Sequence, residues 1–289
     1  MRSSPRATRQ CVIGSKACWK ELEPDTRQAL ARWPVLGQLL GRPGSVWVTS
    51  DLGAAQAFKD QVLLSLTKEP DPSLPVRRNA GSVVSSIAHS VAEDFQELIK
   101  EWPQLLPFLS TTVSNGQPPQ VTACIKVLCD MVELVGEELL SQGPNTVTML
   151  QTCLSSAPGE VRAAAAQLVF QMVEDLEPEA AAPLGALMPQ IILAIKAFAV
   201  ASEHEDILKE TLESLISAAD EEPEFFKENG LQDLWPLLLE MCKADHWADP
   251  NVRHSAMEAV MSFFEGFCED FCKTEAGLRN DCEDLNRFL

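Results

Sequence analysis

The sequence predicts an all-α, right-handed HEAT-repeat solenoid of about five to six helical hairpins, and three observations predict it. The 289 residues are 46% hydrophobic but only 6% aromatic, with no Tyr, and Ala, Leu and Glu dominate, which favours helix over sheet. A turn bearing Pro, Asp or Gly, followed by a β-branched residue and a helical run, recurs at Val76, Val121, Val161, Ile207 and Val252, at intervals of 45, 40, 46 and 45 residues. Units of roughly 40–47 residues are the period of HEAT and armadillo arrays. No segment alternates apolar and polar residues as a half-buried strand does.

Taken in order, residues 1–20 hold Arg2, Arg6, Arg9, Lys16 and Lys20 and no acid, and read as a disordered basic tail. Residues 21–271 form the solenoid. Within it, residues 22–40 and 51–67 are helical on either side of Gly41-Arg42-Pro43-Gly44-Ser45 and represent an incomplete first repeat and the next first (A) helix. The second (B) helices start near 76, 121, 161, 207 and 252, where Pro or Asp before the marker ends one helix and begins another. Apolar runs at 95–113, 139–154, 184–200 and 231–241 supply the A helices between them. Residues 180–201 are the longest apolar stretch, but Pro183, Pro189, Gln190 and Lys196 interrupt it, so it reads as a buried helix after a proline turn. Residues 272–289 are polar and lack apolar anchors, and read as a disordered or truncated tail; with no capping repeat in view, the chain reads as a piece of a longer array.

Arg77, Arg162 and Arg253 each follow a marker, inside a first helical turn whose dipole does not favour a cation. Packing must account for them, and a ladder of bonds to acids of the neighbouring repeat is expected. Ala80, Ala165 and Ala256, four residues after their markers, let the A helix approach closely.

Catalytic constellations are missing: the sequence holds no GxxxxGK[ST], GxGxxG, HExxH or GxSxG pattern. His89, His204, His246 and His254 sit beside capping or helix-forming residues, and no enzyme, cofactor or metal is expected. Nine scattered cysteines with no CxxC pair fit a reducing compartment, each as a small buried hydrophobe. The formal charge of −19 is uneven: residues 1–100 hold 13 Lys/Arg against 10 Asp/Glu, and residues 101–289 hold 10 against 32. Such a field repels nucleic acid and anionic membrane and attracts basic proteins.

The acids form the candidate site. Asp206, Glu210 and Glu213, with Lys209, share the face of their helix opposite Leu208, Leu212 and Leu215; on the next B helix, Asn251, Ser255, Glu258, Ser262, Glu265 and Glu269 do the same. Stacked repeats align such rows into a surface that pairs with Lys and Arg of a partner. The plainer alternative is that any solenoid helix needs one polar face and Glu fills it readily.

The text between markers also resembles a family. Glu101-Trp102-Pro103-Gln104-Leu105-Leu106-Pro107-Phe108-Leu109 is similar to the W-P-x-L-x-x-F-L element in early repeats of the importin-β superfamily. The stretch from Glu205 to Ile216 followed by Phe225-Phe226 and Leu237-Leu238-Leu239, and Asp249-Pro250-Asn251-Val252-Arg253, look most like its importin β-3 branch. The resemblance covers about residues 20–270, the extent of an N-terminal third. It implies a nuclear import receptor, moving between cytoplasm and nucleus, that binds basic cargo of histone or ribosomal-protein type, releases it to Ran-GTP, and passes Phe-Gly nucleoporins. The opening helices such receptors use for Ran are replaced here by the basic tail, which sets the Ran expectation apart from the rest. A different HEAT scaffold, such as a phosphatase regulatory or translation-associated subunit, is the alternative.

Overall fold

The computed structural model describes residues 52–67, 74–141, 144–200, 204–243 and 250–267, and among them every regular element is a helix. Residues 1–20, 22–40 and 272–289 lie outside the described residues. Five hairpins follow one another: α1 (Leu52–Thr67) with α2 (Leu74–Val91), α4 (Leu105–Asn115) with α5 (Pro118–Cys129), α7 (Pro144–Leu154) with α8 (Gly159–Asp175), α10 (Met188–Phe198) with α11 (Glu205–Glu221), and α13 (Leu231–Cys242) with α14 (Pro250–Gly266). Short helices fill the links, namely α3 (Phe95–Glu101), α6 (Val132–Ser141), α9 (Pro178–Ala181) running into a 3₁₀ turn (Ala182–Leu187), and α12 (Pro223–Asn229).

The B helices start at Leu74, Pro118, Gly159, Glu205 and Pro250, so four markers are third residues of their helices and Val121 is a fourth. The true counterpart of Val161 in α5 is therefore Gln120. It is buried, its Oε1 accepts from Gln117 N at 3.0 Å, and its Nε2 donates to Thr67 O at 3.0 Å, tying the start of α5 to the end of α1. An apolar-residue search passes over a glutamine, which is why the sequence register slips by one there. Val121, Val161 and Val252 are buried, Ile207 packs on the core's edge, and the side chain of Val76 is outside the described set.

Two helices per interval was too few. The runs at 95–113 and 139–154 each divide, into α3 with α4 and α6 with α7, while that at 184–200 is a 3₁₀ turn followed by α10. Local chemistry sets the breaks. Pro103 disfavours the helical conformation for Trp102, which adopts φ −143° and ψ 65°. Pro144 opens α7, and Pro189 sits in the first turn of α10, where a missing N–H costs nothing. Gly230, the only described residue with positive φ (134°), turns α12 into α13. The segment Pro178–Phe198 has the length and hydropathy of a membrane span, yet it comprises three pieces, and Leu184, Leu187, Ile191, Ile195 and Phe198 lie in the core.

One hydrophobic core runs through all five hairpins. Neighbouring B helices α2, α5, α8, α11 and α14 pack along their length, whereas A helices touch sparingly and leave grooves of about 840 Å³ between α4 and α7 and about 550 Å³ between α10 and α13. Close B-helix contacts and splayed A helices place the B layer on the inside of the curve. Small residues permit the approach: Ala163, Ala164, Ala165 and Ala166 of α8 are all buried, and a Cβ on Gly81 of α2 would stand 3.2 Å from Val127 of α5. Ala80 and Ala256 are buried as well.

The expected arginine ladder is replaced at Arg162, whose guanidinium lies 5.3 Å from the ring centre of Phe198 in α10. A cation over an aromatic face needs no acid and tolerates the half-buried setting of the repeat boundary. Trp102 is buried among leucines, under the ammonium of Lys59 at 5.6 Å, and Lys59 Nζ donates to Glu101 O at 2.7 Å.

Candidate functional site

The B-helix register decides which side chains reach the inner face. Six positions after the third helical residue stand Ser82 in α2, Lys126 in α5, Gln167 in α8, Glu213 in α11 and Glu258 in α14, and all five are accessible. The row runs from neutral and basic at one end to acidic at the other. Thirteen positions on, Glu174, Asp220 and Glu265 repeat the acidic character in α8, α11 and α14. Each helix presents these positions because its apolar residues, spaced three and four apart, claim the opposite arc.

Asp206, Glu210 and Glu213 are exposed on α11, and Glu258 and Glu265 are exposed on α14; Glu269 lies outside the described residues. Three of them have partners. Glu210 Oε2 is 3.1 Å from Lys126 Nζ, Glu213 Oε1 is 3.6 Å from Lys209 Nζ one turn earlier, and Glu258 Oε1 is 3.2 Å from His254 Nε2. Between α8 and α11, Gln167, Gln171, Glu174, Glu210, Glu213, Ser214 and Ser217 line a shallow trough. Gln167, Gln171, Glu174 and Lys126 were not singled out from the sequence, although the register alone points to Gln167, Glu174 and Lys126.

The α14 row is narrower than expected. Ser255 and Ser262 are buried and donate back to Asn251 O and Glu258 O, both at 3.2 Å. A hydroxyl satisfied by the carbonyl four residues earlier is tolerated inside, so these serines face the array. Met257 and Met261 occupy the outer side instead, 41% and 47% exposed.

Acids also gather where α8 and α11 end. Burial raises the Glu174 carboxyl above its ordinary value, with Asp175 and Glu221 adding to it; burial raises Glu222 too, with Glu177, Glu221 and Glu179 contributing. Helix C-termini are the negative ends of the dipoles, so Glu174, Asp175 and Glu221 sit where the fold resists their charge. Because the folded value lies above the unfolded one, the ionised form costs stability above the folded value, and the cost disappears as pH falls toward the ordinary 4.5. Glu222→Gln is therefore expected to raise the melting temperature at pH 7.5, with the gap to the parent closing as melts are repeated down to that ordinary value. A gap that stays constant with pH would assign the gain to packing.

No group of three or more His, Cys, Asp or Glu among the described residues has the geometry of a metal site. Cys124 and Cys153 are buried, and burial pushes their thiols up to about 12 and about 11, as expected of packing residues.

The family model described as "IPO5-like, TPR repeats" matches residues 72–237. Importin subunit beta-3 of Saccharomyces cerevisiae is 23% identical over 195 residues, which cover 68% of this chain and 17% of that protein. Among solved structures, Kap121p bound to the SUMO protease Ulp1p aligns with a TM-score of 0.64 at 18% identity, over 84% of this chain and 22% of that one. Kap121p bound to Nup53p aligns with a TM-score of 0.63 at 18% identity, with the same coverage. The chain thus spans about a fifth of the length of these karyopherins, and the likeness to them is one of HEAT-type solenoid fold. With the family model matching more than half of its residues, the chain belongs to the IPO5-like repeat family of the importin-β superfamily, and it is similar to importin β-3.

Proposed function

We propose that this chain is the cargo-gripping stretch of a nuclear import receptor, and that the inner face of α8, α11 and α14 holds basic segments of histone or ribosomal-protein type. The observation that carries this reading is the shared register of Glu174, Glu213, Glu258 and Glu265, with Asp206 and Glu210 beside them, on the concave side of consecutive B helices. Contacts are many and individually modest, so affinity comes from their number. A Ran-GTP molecule seated on the same curve is the releasing competitor, and shuttling between cytoplasm and nucleus follows from that cycle.

The outer layer suits a second partner class. The groove between α4 and α7 is lined by Phe95, Leu98, Ile99, Trp102, Leu106 and Met149, an apolar trough that accepts Phe side chains of Phe-Gly nucleoporins. Basic and aromatic ligands thus take opposite sides of one array and do not compete.

Passing purified histones and ribosomal proteins over the immobilised chain tests the reading. Retention is expected at ~0.1 M salt and loss by ~0.5 M, since screening shortens to a few ångströms over that range; added Ran-GTP is expected to release what is bound. Salt-insensitive capture of a phosphatase catalytic subunit or of ribosomes, with basic proteins passing through, would sink it.

A further inference from the structure

Lys126 sits on α5 and Glu210 on α11, 84 residues apart, yet their charged groups meet at 3.1 Å. The two helices are not neighbours, because α8 packs between them. With neighbouring helix axes about 8–10 Å apart, α5 and α11 stand roughly twice that far from one another. The ion pair closes the gap because α8 presents little there. Its Glu160 and Gln167 line the troughs to either side, and between them lie Ala163 and Ala164, both buried. A long residue at either alanine would stand in the path of the pair.

This contact differs from Lys209–Glu213, Lys227–Glu224 and Lys243–Glu240, which each join residues three or four apart on one helix. It alone among the described ion pairs spans three consecutive repeats, and so it alone senses the curvature of the stack. It also occupies a carboxylate of the acidic row from within. Resting on the cargo-surface reading above, we propose that Lys126 is an internal stand-in for a partner's cation: in the free protein it holds Glu210 and biases the pitch of α5, α8 and α11 toward the closed side, and a partner Lys or Arg takes its place on binding.

Magnitude supports exchange over permanent stapling. The side chains of Lys126 and Glu210 are 39% and 47% exposed, and exposed pairs of this kind contribute little net stability. A weak latch opens under a ligand offering several cations, while a buried one would not. Once released, Lys126 still borders the trough formed with Arg77, Arg78, Gly81, Thr122 and Asp130, and it can accept an acid from the same partner.

The test titrates a fluorescent oligo-lysine peptide against the parent chain, Lys126→Met, Glu210→Gln, Glu213→Gln and the two double variants that combine Lys126→Met with each acid change, with small-angle scattering of each free protein. Lys126→Met is expected to bind about two- to five-fold tighter and to scatter as a more open particle. The gain is expected to vanish when Glu210→Gln is added, and to persist when Glu213→Gln is added, although Glu213→Gln alone weakens binding. Unchanged affinity and scattering in Lys126→Met, with Glu213→Gln still weakening the peptide, would overturn the latch and leave the surface reading standing. If none of the acid variants alters binding, the surface reading falls and takes the latch with it. Circular dichroism of each variant shows whether a negative result comes from misfolding, and Lys126→Gln then replaces Lys126→Met.

Discussion

Phe226→Ala is expected to cost about 3–5 kcal/mol and to loosen α11 to α14 while leaving α2 and α5 protected. Phe226 is fully buried in the short helix α12, and its ring centre lies 6.0 Å from Phe170 of α8, 5.3 Å from Phe263 of α14 and 5.3 Å from Phe225. Phe263 stacks in turn with Phe267 at 6.5 Å. One ring therefore joins three successive repeats, and truncating it leaves a cavity that rigid helices cannot collapse around. Because each solenoid unit contacts mainly its neighbours, the loss stays local. Amide exchange read peptide by peptide checks this: faster exchange in α11, α13 and α14 with α2 and α5 unchanged is the expected pattern. An equal loss across all five hairpins would mean that the array unfolds as a single cooperative unit. Phe226→Leu, which keeps most of the volume, is expected to cost well under half as much.

The periodicity was legible because it is written in backbone chemistry. A proline or acid that starts a helix, followed by a β-branched residue on the buried side, is a local signal that survives low identity, and α2, α8, α11 and α14 begin two residues before their markers for that reason. Gln120 breaks the pattern, since its burial depends on a carbonyl 53 residues away, that of Thr67. The short helices α3, α6, α9 and α12 were hidden for a different reason. Their apolar residues run into the spacing of the A helices, and single residues mark the joints, Pro103, Pro144 and Pro189 for the earlier ones and Gly230 after α12. The acidic surface was partly legible. Hydrophobic spacing places Glu213 and Glu258 on the outward arc of their helices, but whether that arc faces the inside of the curve depends on how closely B helices pack. Lys126 and Glu210 could not be paired from the sequence at all, because they stand on B helices separated by a whole repeat.

Reversing three charges, Glu213→Lys, Glu258→Lys and Glu265→Lys, is expected to weaken binding of a basic partner by between about ten- and ten-thousand-fold at low salt. Each exposed pair contributes roughly 0.2–1 kcal/mol, and reversal replaces that attraction with a repulsion of similar size. The three sites are exposed on α11 and α14, so the fold should remain intact. Binding of the parent should weaken steeply with salt, and binding of the triple variant should be nearly flat, because the variant has fewer favourable charge contacts left to screen. Net charge alone would act the same way, since each reversal adds two positive charges to a chain of formal charge −19. A matched triple elsewhere separates the two causes: Glu137→Lys on α6, Glu228→Lys on α12 and Glu240→Lys on α13 change the total equally, from exposed positions outside the B-helix row. If the acidic row is the docking surface, the matched triple keeps most of the parent's affinity measured by anisotropy titration. Equal loss in both would show that the partner feels only the overall field, and the inner face would then have no special claim.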